Sequence, residues 1–393
     1  FARRPVQPRP KHQASALTER TLREEPFDYV CQGEGPITIE ALLRGKVFTE
    51  YDPVVIGLWM KGFNSWRAAT NITNLDAELP NQALELLDLK RYRAHNWHLW
   101  TGDPAGGYAS VQTSLGCPFA CTFCCINAPF GKREFRTWSA NNVVNRIEKL
   151  VRDYGITNIK IPDEMFVLNP SHVEDICHEI INRGLAPDLN MWAYARVDTV
   201  KNPVLLSLMR FAGFRWLGIG IESSSKHVRD GVEKGRFGNE EIIAAVHRVQ
   251  AAGIHVGANY IFGLPDDTHE SCAETLALAD ELNTEYANFY CAMAYPGSPL
   301  HRVAQEKGWR LPEDAGGPGW IGYSQHAYES LPLPTEALTA QEVLDIRDEA
   351  FMHYFTRPEY LAMINQKFGI RGEVEVRRMT ALGKPRRKHR EET

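Results

Sequence analysis

Between residues 108 and 296 the chain repeats one pattern about six times: a short apolar run of strand length, then an amphipathic stretch of helix length. Strands separated by helical segments cannot close as tight hairpins. They pair in parallel, with the helices as crossovers. The strand candidates are YASVQTSLG from 108, NIKIP from 158, LNMWAYA from 189, WLGIGIE from 216, HVGANYIFGLP from 255 and EYANFYCAMAYPG from 285. Ser139 suits the cap of a helix that places Val143, Ile147, Leu150, Val151 and Tyr154 on one face and ends at Gly155. Ser171 and Glu174 read as a capping-box pair, and Asn239 as the cap of EEIIAAVHRVQAAG. Six repeats fall short of a closed eightfold barrel. The expected fold class is α/β, a partial (β/α)6 TIM-like barrel, followed by helices over 339–366.

In barrels and open α/β sheets alike, sites form at the C-terminal ends of the strands. The first strand runs directly into LGCPFACTFCCINAP. Of the eight cysteines, at 31, 117, 121, 124, 125, 177, 272 and 291, four fall in this one loop. A secreted disulfide framework would spread them along a short chain, so the cluster reads as metal binding and the scattered four as buried thiols. Cys117, Cys121 and Cys124 have C-x3-C-x2-C spacing. Thiolates are the usual ligands of iron–sulfur clusters, and three of them leave one position open for a substrate. Structural zinc is the competing metal. It wants a fourth ligand, and the chain has no second C-x2-C pair, while His172 and His178 lie far along the sequence.

The loop resembles the signature of the radical S-adenosylmethionine superfamily, C-x3-C-x-aromatic-C, with Phe123 as the aromatic. The resemblance implies a [4Fe–4S] cluster on Cys117, Cys121 and Cys124, with Cys125 a non-ligand neighbour. The open iron would chelate S-adenosylmethionine, whose reductive cleavage yields a 5′-deoxyadenosyl radical. Weaker resemblances extend along the strand ends. In IPDEMF, Glu164, or Asp163 as the alternative, would face the methionine ammonium. In YARVD, Arg196 would hold the cofactor carboxylate with its fork. In GIGIESSS, Glu222 would accept the ribose hydroxyls. In YIFGLP, backbone around Ile261 and Gly263 would meet the adenine. Each has a plain alternative: solvated acids, a surface arginine, a strand-to-loop turn.

FDYVCQGEGPITIEALL, preceded by SALTERTLREEP, resembles the end of the cobalamin-binding domain found before many such enzymes, and YPGSPL resembles a segment of the same branch. The division implied is a truncated, Rossmann-like cobalamin-domain remnant over 1–60, a linker over 61–107, the radical core over 108–296, a cap with helices over 297–380 and a polar tail over 381–393. The cobalt-ligating D-x-H-x-x-G of such domains is missing. Asp267-Thr268-His269 lacks the glycine and sits inside the core. The chain begins with Phe, so it is read either as a fragment of a longer protein or as one that has lost the domain, with cobalamin belonging to the full-length parent.

A net charge of −5 gives no basic field for nucleic acid, and no apolar run reaches the ~18 residues of a membrane span. The basic, Pro-rich FARRPVQPRPKHQAS is no secretory signal, and residues 1–25 read as poorly ordered. The expected enzyme is cytoplasmic. It takes a small-molecule substrate and an external electron donor such as flavodoxin or ferredoxin, with no nucleic-acid or membrane partner. Methyl transfer to carbon leads, a radical cyclisation or oxidative rearrangement is the alternative, and a non-catalytic metal-binding interaction protein is the reading of another class. Methylthiolation of transfer RNA is disfavoured, for want of a second cysteine triad and a basic C-terminal β-domain. Tyr290, Tyr295, Trp320 and Tyr323 line the substrate pocket or pack the core.

Overall fold

The computed structural model describes residues 11–44, 57–61, 72–79, 82–93 and 107–381. The chain enters through α1 (Lys11–Ala16) and α2 (Thr18–Glu24). Then β1 (Tyr29–Cys31) leads to α3 (Gly35–Leu43) and β2 (Leu58–Met60), which pairs antiparallel with β1. After α4 (Leu75–Glu78) come β3 (Tyr108–Ser110), the short β4 (Ser114–Leu115) and β5 (Arg136–Thr137).

The alternation predicted from the sequence follows. It comprises α5 (Ala140–Tyr154), β6 (Asn158–Lys160), α6 (Pro170–Asn182), β7 (Asn190–Arg196), α7 (Pro203–Phe211) and β8 (Phe214–Glu222). It continues through α8 (Lys226–Gly231), α9 (Asn239–Ala251), β9 (His255–Phe262), α10 (His269–Leu282) and β10 (Tyr286–Cys291). Six strands form one all-parallel sheet in the order β10-β9-β8-β7-β6-β3, so each crossover lands on its neighbour, as in a partial barrel. Alternate strand positions explain the packing. Ala193, Ile219, Ala258, Ala287 and Phe289 are buried with the helices, while Tyr286, Asn288 and Tyr290 of β10 stay half-buried on the other face.

Two caps differ from the sequence reading. Ser139 does cap α5, accepting from Asn142 N–H, and Gly155 ends that helix in a left-handed conformation. But α6 starts at Pro170 with Asn169 as its cap, because proline's fixed φ and missing N–H suit a first turn. Ser171 is already helical. Likewise Gly238 caps α9, its N–H held by Glu241 at 3.0 Å, and Asn239 instead accepts from Arg229.

The first and last described helices pack onto the rest of the structure. Residues 11–24 are helical where disorder was expected, since tertiary contacts override a weak local signal. Arg20 donates to Glu313 O at 2.6 Å and lies over Trp320, whose indole N–H donates to Glu25 at 2.9 Å. α11 (Pro299–Glu306) opens the cap, and α12 (Ala340–Thr356) and α13 (Pro358–Ala381) complete the described residues. Gly369, at φ +71°, breaks α13 three residues beyond 366, where the sequence reading ended the helices, and the helix resumes to Ala381. Residues 1–10, and all of the expected polar tail beyond Ala381, lie outside the described residues.

Just before Gly369, Phe368 stacks on Trp216 and Trp216 on Trp192, while Lys367 reaches the buried Glu285. Burial would raise that carboxyl. His255, Lys367 and the Val256 N–H at 2.8 Å overcome it and hold the pKa at about 2. A depressed carboxylate stabilises the fold above its unfolded value and loses that contribution as pH falls. Glu285→Gln should cost on the order of 3 kcal/mol at neutral pH, read by urea unfolding. The deficit should shrink as pH drops from about 4.5 towards 2; a constant deficit would show that Glu285 acts only through shape.

Candidate functional site

The cysteine loop, 116–135, is built between β4 and β5, which the sequence pattern did not reveal. Ser114 pairs with Thr137 and Leu115 with Arg136. Three residues after β6, Asp163 holds the loop's entry. Its carboxylate accepts from Thr113 N–H at 2.8 Å, Thr113 Oγ1 at 2.6 Å and Ser114 Oγ at 2.6 Å. Burial pushes this carboxyl up to about 6 although all these donors pull it down. Gly116 then turns the chain at φ +85°, and a Cβ there would overlap the carbonyl oxygen of Glu134.

Cys117 is buried, Cys121 half-buried and Cys124 exposed; all three are free thiols and line one cavity of about 890 Å³. Thr122 fixes the middle of the loop, donating to Val232 O at 3.0 Å and accepting from Leu300 N–H at 2.9 Å. Phe123 acts as a peg. It packs against Val228, Val232, Leu264 and Ala292 on one side and Ala294 and Leu300 on the other. Burial raises the pKa of Cys117 and lifts Cys125 to about 11. Among the described residues no three His, Cys, Asp or Glu side chains close on a single ion. Cluster thiolates need not do so, because each takes a different iron.

Arg196, at the end of β7, is buried beside the loop. It lies over Phe119 at 3.8 Å, reaches Cys121 Sγ at 3.6 Å and donates to Lys234 O. Its fork also grips Asp198 at 3.0 and 3.2 Å. Glu222, at the end of β8, takes a left-handed φ of +68° and forms a buried 2.5 Å ion pair with Lys234. Lys234 sits in the turn whose preceding carbonyl, Glu233 O, lies 3.7 Å from Cys121 Sγ. Sequence reasoning missed Lys234; its only signal was a lysine in the Gly-flanked VEKGR turn.

The adjacent acids divide. Asp163 is spent on the loop entry, whereas Glu164 leaves Oε2 buried without a hydrogen bond, and burial lifts its pKa to about 7. Ile261 packs with Phe123 in one apolar cluster. At Gly263, φ is +81° and a Cβ would stand 2.5 Å from Val343 Cγ1, so this backbone closes on α12. Tyr323 stacks on both Tyr295 and Trp320, the packing alternative, while Tyr290 stays half-buried on β10. Sequence reasoning also passed over Glu34 of GEG. It grips Arg136 of β5 at 2.5 and 3.0 Å, tying the N-terminal segment to the loop's base.

A half-barrel of six parallel strands, with a three-cysteine loop at the end of its first strand, defines a radical S-adenosylmethionine fold. The Radical SAM superfamily pattern matches residues 111–279. An uncharacterized methyltransferase of Pyrococcus horikoshii is 30% identical over 351 residues, 87% of this chain and 71% of that protein. The anaerobic magnesium-protoporphyrin IX monomethyl ester cyclase of Cereibacter sphaeroides is 28% identical over 346 residues, 84% of this chain but 52% of that one. Among solved structures, the cobalamin-dependent radical enzyme OxsB with aqua-cobalamin and S-adenosylmethionine gives a TM-score of 0.67 at 16% identity, covering 94% of this chain and 57% of that one. The methyltransferase TsrM from Kitasatospora setae, with cobalamin and a [4Fe–4S] cluster, gives 0.61 at 16% identity, covering 89% and 71%. These two show the fold.

The chain belongs to the radical S-adenosylmethionine superfamily. Its cofactors are accordingly a [4Fe–4S] cluster and S-adenosylmethionine. The donor set fits: three free thiols in one loop, with a buried cation, Arg196, beside one of them. Removing one partner of a buried ion pair leaves the other uncompensated, at a cost of about 3–5 kcal/mol. Lys234→Met should therefore destabilise the protein by that order in urea unfolding, and adding Glu222→Met should recover most of the loss.

Proposed function

We propose that Cys117, Cys121 and Cys124 are the cluster ligands and that the enzyme methylates a carbon of a small molecule in a cobalamin-associated reaction. The observation that carries methyl transfer is the 30% identity, over 87% of this chain, to a protein named a methyltransferase. Relatives named as methylases of hopanoids and of tryptophan support it over about half of the chain. One further observation favours a second reading, a radical cyclisation or oxidative rearrangement: the 28% identical relative is named a cyclase.

When bound, the cluster would supply an open coordination site and the electron that cleaves S-adenosylmethionine. The chain's own residues do the rest. Arg196 offsets thiolate charge at Cys121 and stands ready for the cofactor carboxylate. Glu222, poised by Lys234, accepts ribose hydroxyls. Glu164 accepts from the methionine ammonium, and Ile261 and Gly263 offer backbone to the adenine. Phe123 keeps the loop dry by filling the space between two apolar clusters.

No residue is assigned to cobalt. Asp267 is a buried acceptor for Ser271 at 2.7 Å and Leu264 N–H at 3.0 Å, and His269 faces Glu342 at the surface, so this chain's D-T-H is helix-capping structure. An external donor such as flavodoxin or ferredoxin would deliver its electron from the side where Cys124 is exposed. No described helix is long and apolar enough to cross a membrane. The reading places the enzyme in the cytoplasm and gives it no nucleic-acid partner, the latter in line with a net charge of −5.

Anaerobic reconstitution with iron and sulfide, followed by dithionite and S-adenosylmethionine, tests this. The wild type should turn brown, give a reduced-cluster EPR signal and release 5′-deoxyadenosine. Cys121→Ala should lose the colour and the release together. A colourless protein with stoichiometric zinc and no cleavage would refute the cluster. Product mass separates the two chemistries: methylation adds one CH2 unit, whereas cyclisation removes hydrogens.

A further inference from the structure

The sheet does not by itself aim Glu222. The β8–β9 register slips between Gly220 and Glu222, and Glu222 takes a left-handed φ of +68°. A bulge re-aims a side chain, and a non-glycine residue stays left-handed only where its surroundings hold it there. The carboxylate folds back over Gly220, where a Cβ would stand 2.6 Å from Glu222 Oε1 and 2.7 Å from Lys234 Nζ. The hold on this pair comes from outside the ladder.

Arg229 of α8 supplies it. The side chain is fully buried. Its Nη1 donates to Ser223 O at 2.5 Å, the carbonyl of the residue after Glu222, and reaches Asn239 Oδ1 at 3.3 Å. Its Nη2 donates to Phe237 O at 2.7 Å, and the guanidinium lies over the Phe237 ring at 5.4 Å. The carbonyl of Arg229 accepts from Lys234 N–H at 3.0 Å. Gly235, at φ +149°, packs its backbone on the same ring, since a Cβ there would stand 2.6 Å from Phe237 Cε1. One side chain thus joins the backbone on both sides of the Glu222–Lys234 pair.

The charge at this place is costly. Burial lowers the pKa of Arg229, and the adjacent Asp230 pairs with Lys226 at the surface. Packing alone would be served by an apolar side chain of similar volume, so the contacts to Ser223 O and Phe237 O are what the guanidinium adds. Those contacts bear on Glu222 more than on Arg196. Arg196 is held independently by Asp198 and Phe119, whereas among the described residues the Glu222 carboxylate pairs with Lys234 alone.

We propose that Arg229 is a positioning residue for ribose recognition: through Ser223 and the Lys234 turn it sets the Glu222 carboxylate where the two ribose hydroxyls are accepted. The proposal rests on the reading of Glu222 given above.

The test is equilibrium binding to the reconstituted, unreduced full chain, read by calorimetry. The ligands are S-adenosylmethionine and its analogue lacking both ribose hydroxyls. The wild type should prefer the hydroxylated ligand about tenfold or more, the worth of a hydrogen bond to a charged group. Glu222→Gln and Arg229→Met should each remove most of that preference, while the analogue binds within about twofold of wild type. The double variant should lose no more than Glu222→Gln alone, because the two residues act as one. Cluster colour equal to wild type shows that each variant has formed its loop. Arg229→Lys keeps the charge but not the fork, so it should lose about threefold of the preference; it carries the test if Arg229→Met does not fold. A preference retained by the Arg229 variants, an equal loss for both ligands, or additive losses in the double variant would each overturn the proposal while leaving the Glu222 reading intact. A wild type that binds both ligands equally would instead sink the Glu222 reading and this proposal with it.

Discussion

The site depends first on one buried carboxylate. Asp163 belongs to the turn after β6, yet all three of its donors belong to the segment that follows β3. It fixes the spacing between two adjacent strand ends just where the sheet stops supplying hydrogen bonds. Two of the three contacts are short hydroxyl bonds to a carboxylate group, the stronger kind when the acceptor is ionised. Once Ser114 is held there, β4 can pair with β5, and the ladder decides where loop 116–135 begins and ends. Arg136 then carries the constraint outward, because the same residue that pairs with Leu115 also grips Glu34. The position of the cysteines, the N-terminal segment and the cavity between them follow from that chain of contacts.

A loop of this kind has an electrostatic problem. Cluster ligands must be thiolates, and the strand ends around them carry Glu164 and Glu222. Burial disfavours charge, as the raised thiol of Cys117 shows. Arg196 and Lys234 balance it from within. Both are buried, and they are linked, since Arg196 donates to the carbonyl of Lys234. The 231–236 turn thus does two jobs. Its backbone meets the loop at Thr122 and Cys121, and its lysine neutralises Glu222. The left-handed backbone at Glu222 is the strain accepted to bring that carboxylate to the strand end.

The repeat and the cysteine spacing were legible because they are periodic or local. Every parallel strand from 158 to 291 falls where apolar runs predicted it, and Ser139 and Gly155 cap α5 as read. What escaped was non-local. Lys234 gains meaning only beside Glu222, and Glu34 only beside Arg136. The order of residues 11–24 comes from contacts such as Arg20 with Glu313, nearly three hundred residues away. The caps at Asn169 and Gly238 were missed by one or two residues, where proline and a reaching glutamate outcompeted the expected side chains. Asp163 and Glu164 are neighbours that sequence could not separate; burial and three donors settle one into structure and leave the other free.

Radical chemistry also asks that the strand ends be covered, since a reactive intermediate open to water would be quenched. Six strands leave a barrel open at its side, so the cover must come from elsewhere in the chain. The cap provides it through a buried cluster: Glu313 accepts from Tyr323 at 2.5 Å and pairs with His301 at 2.8 Å. Arg20 takes the Glu313 carbonyl from outside, and Trp320 takes Glu25. The N-terminal helices are therefore bonded to the cap on one side and, through Glu34, to the loop's base on the other. That double attachment makes the segment a wall beside the cysteine loop, and it explains why a stretch that resembles the end of another domain packs as part of this one.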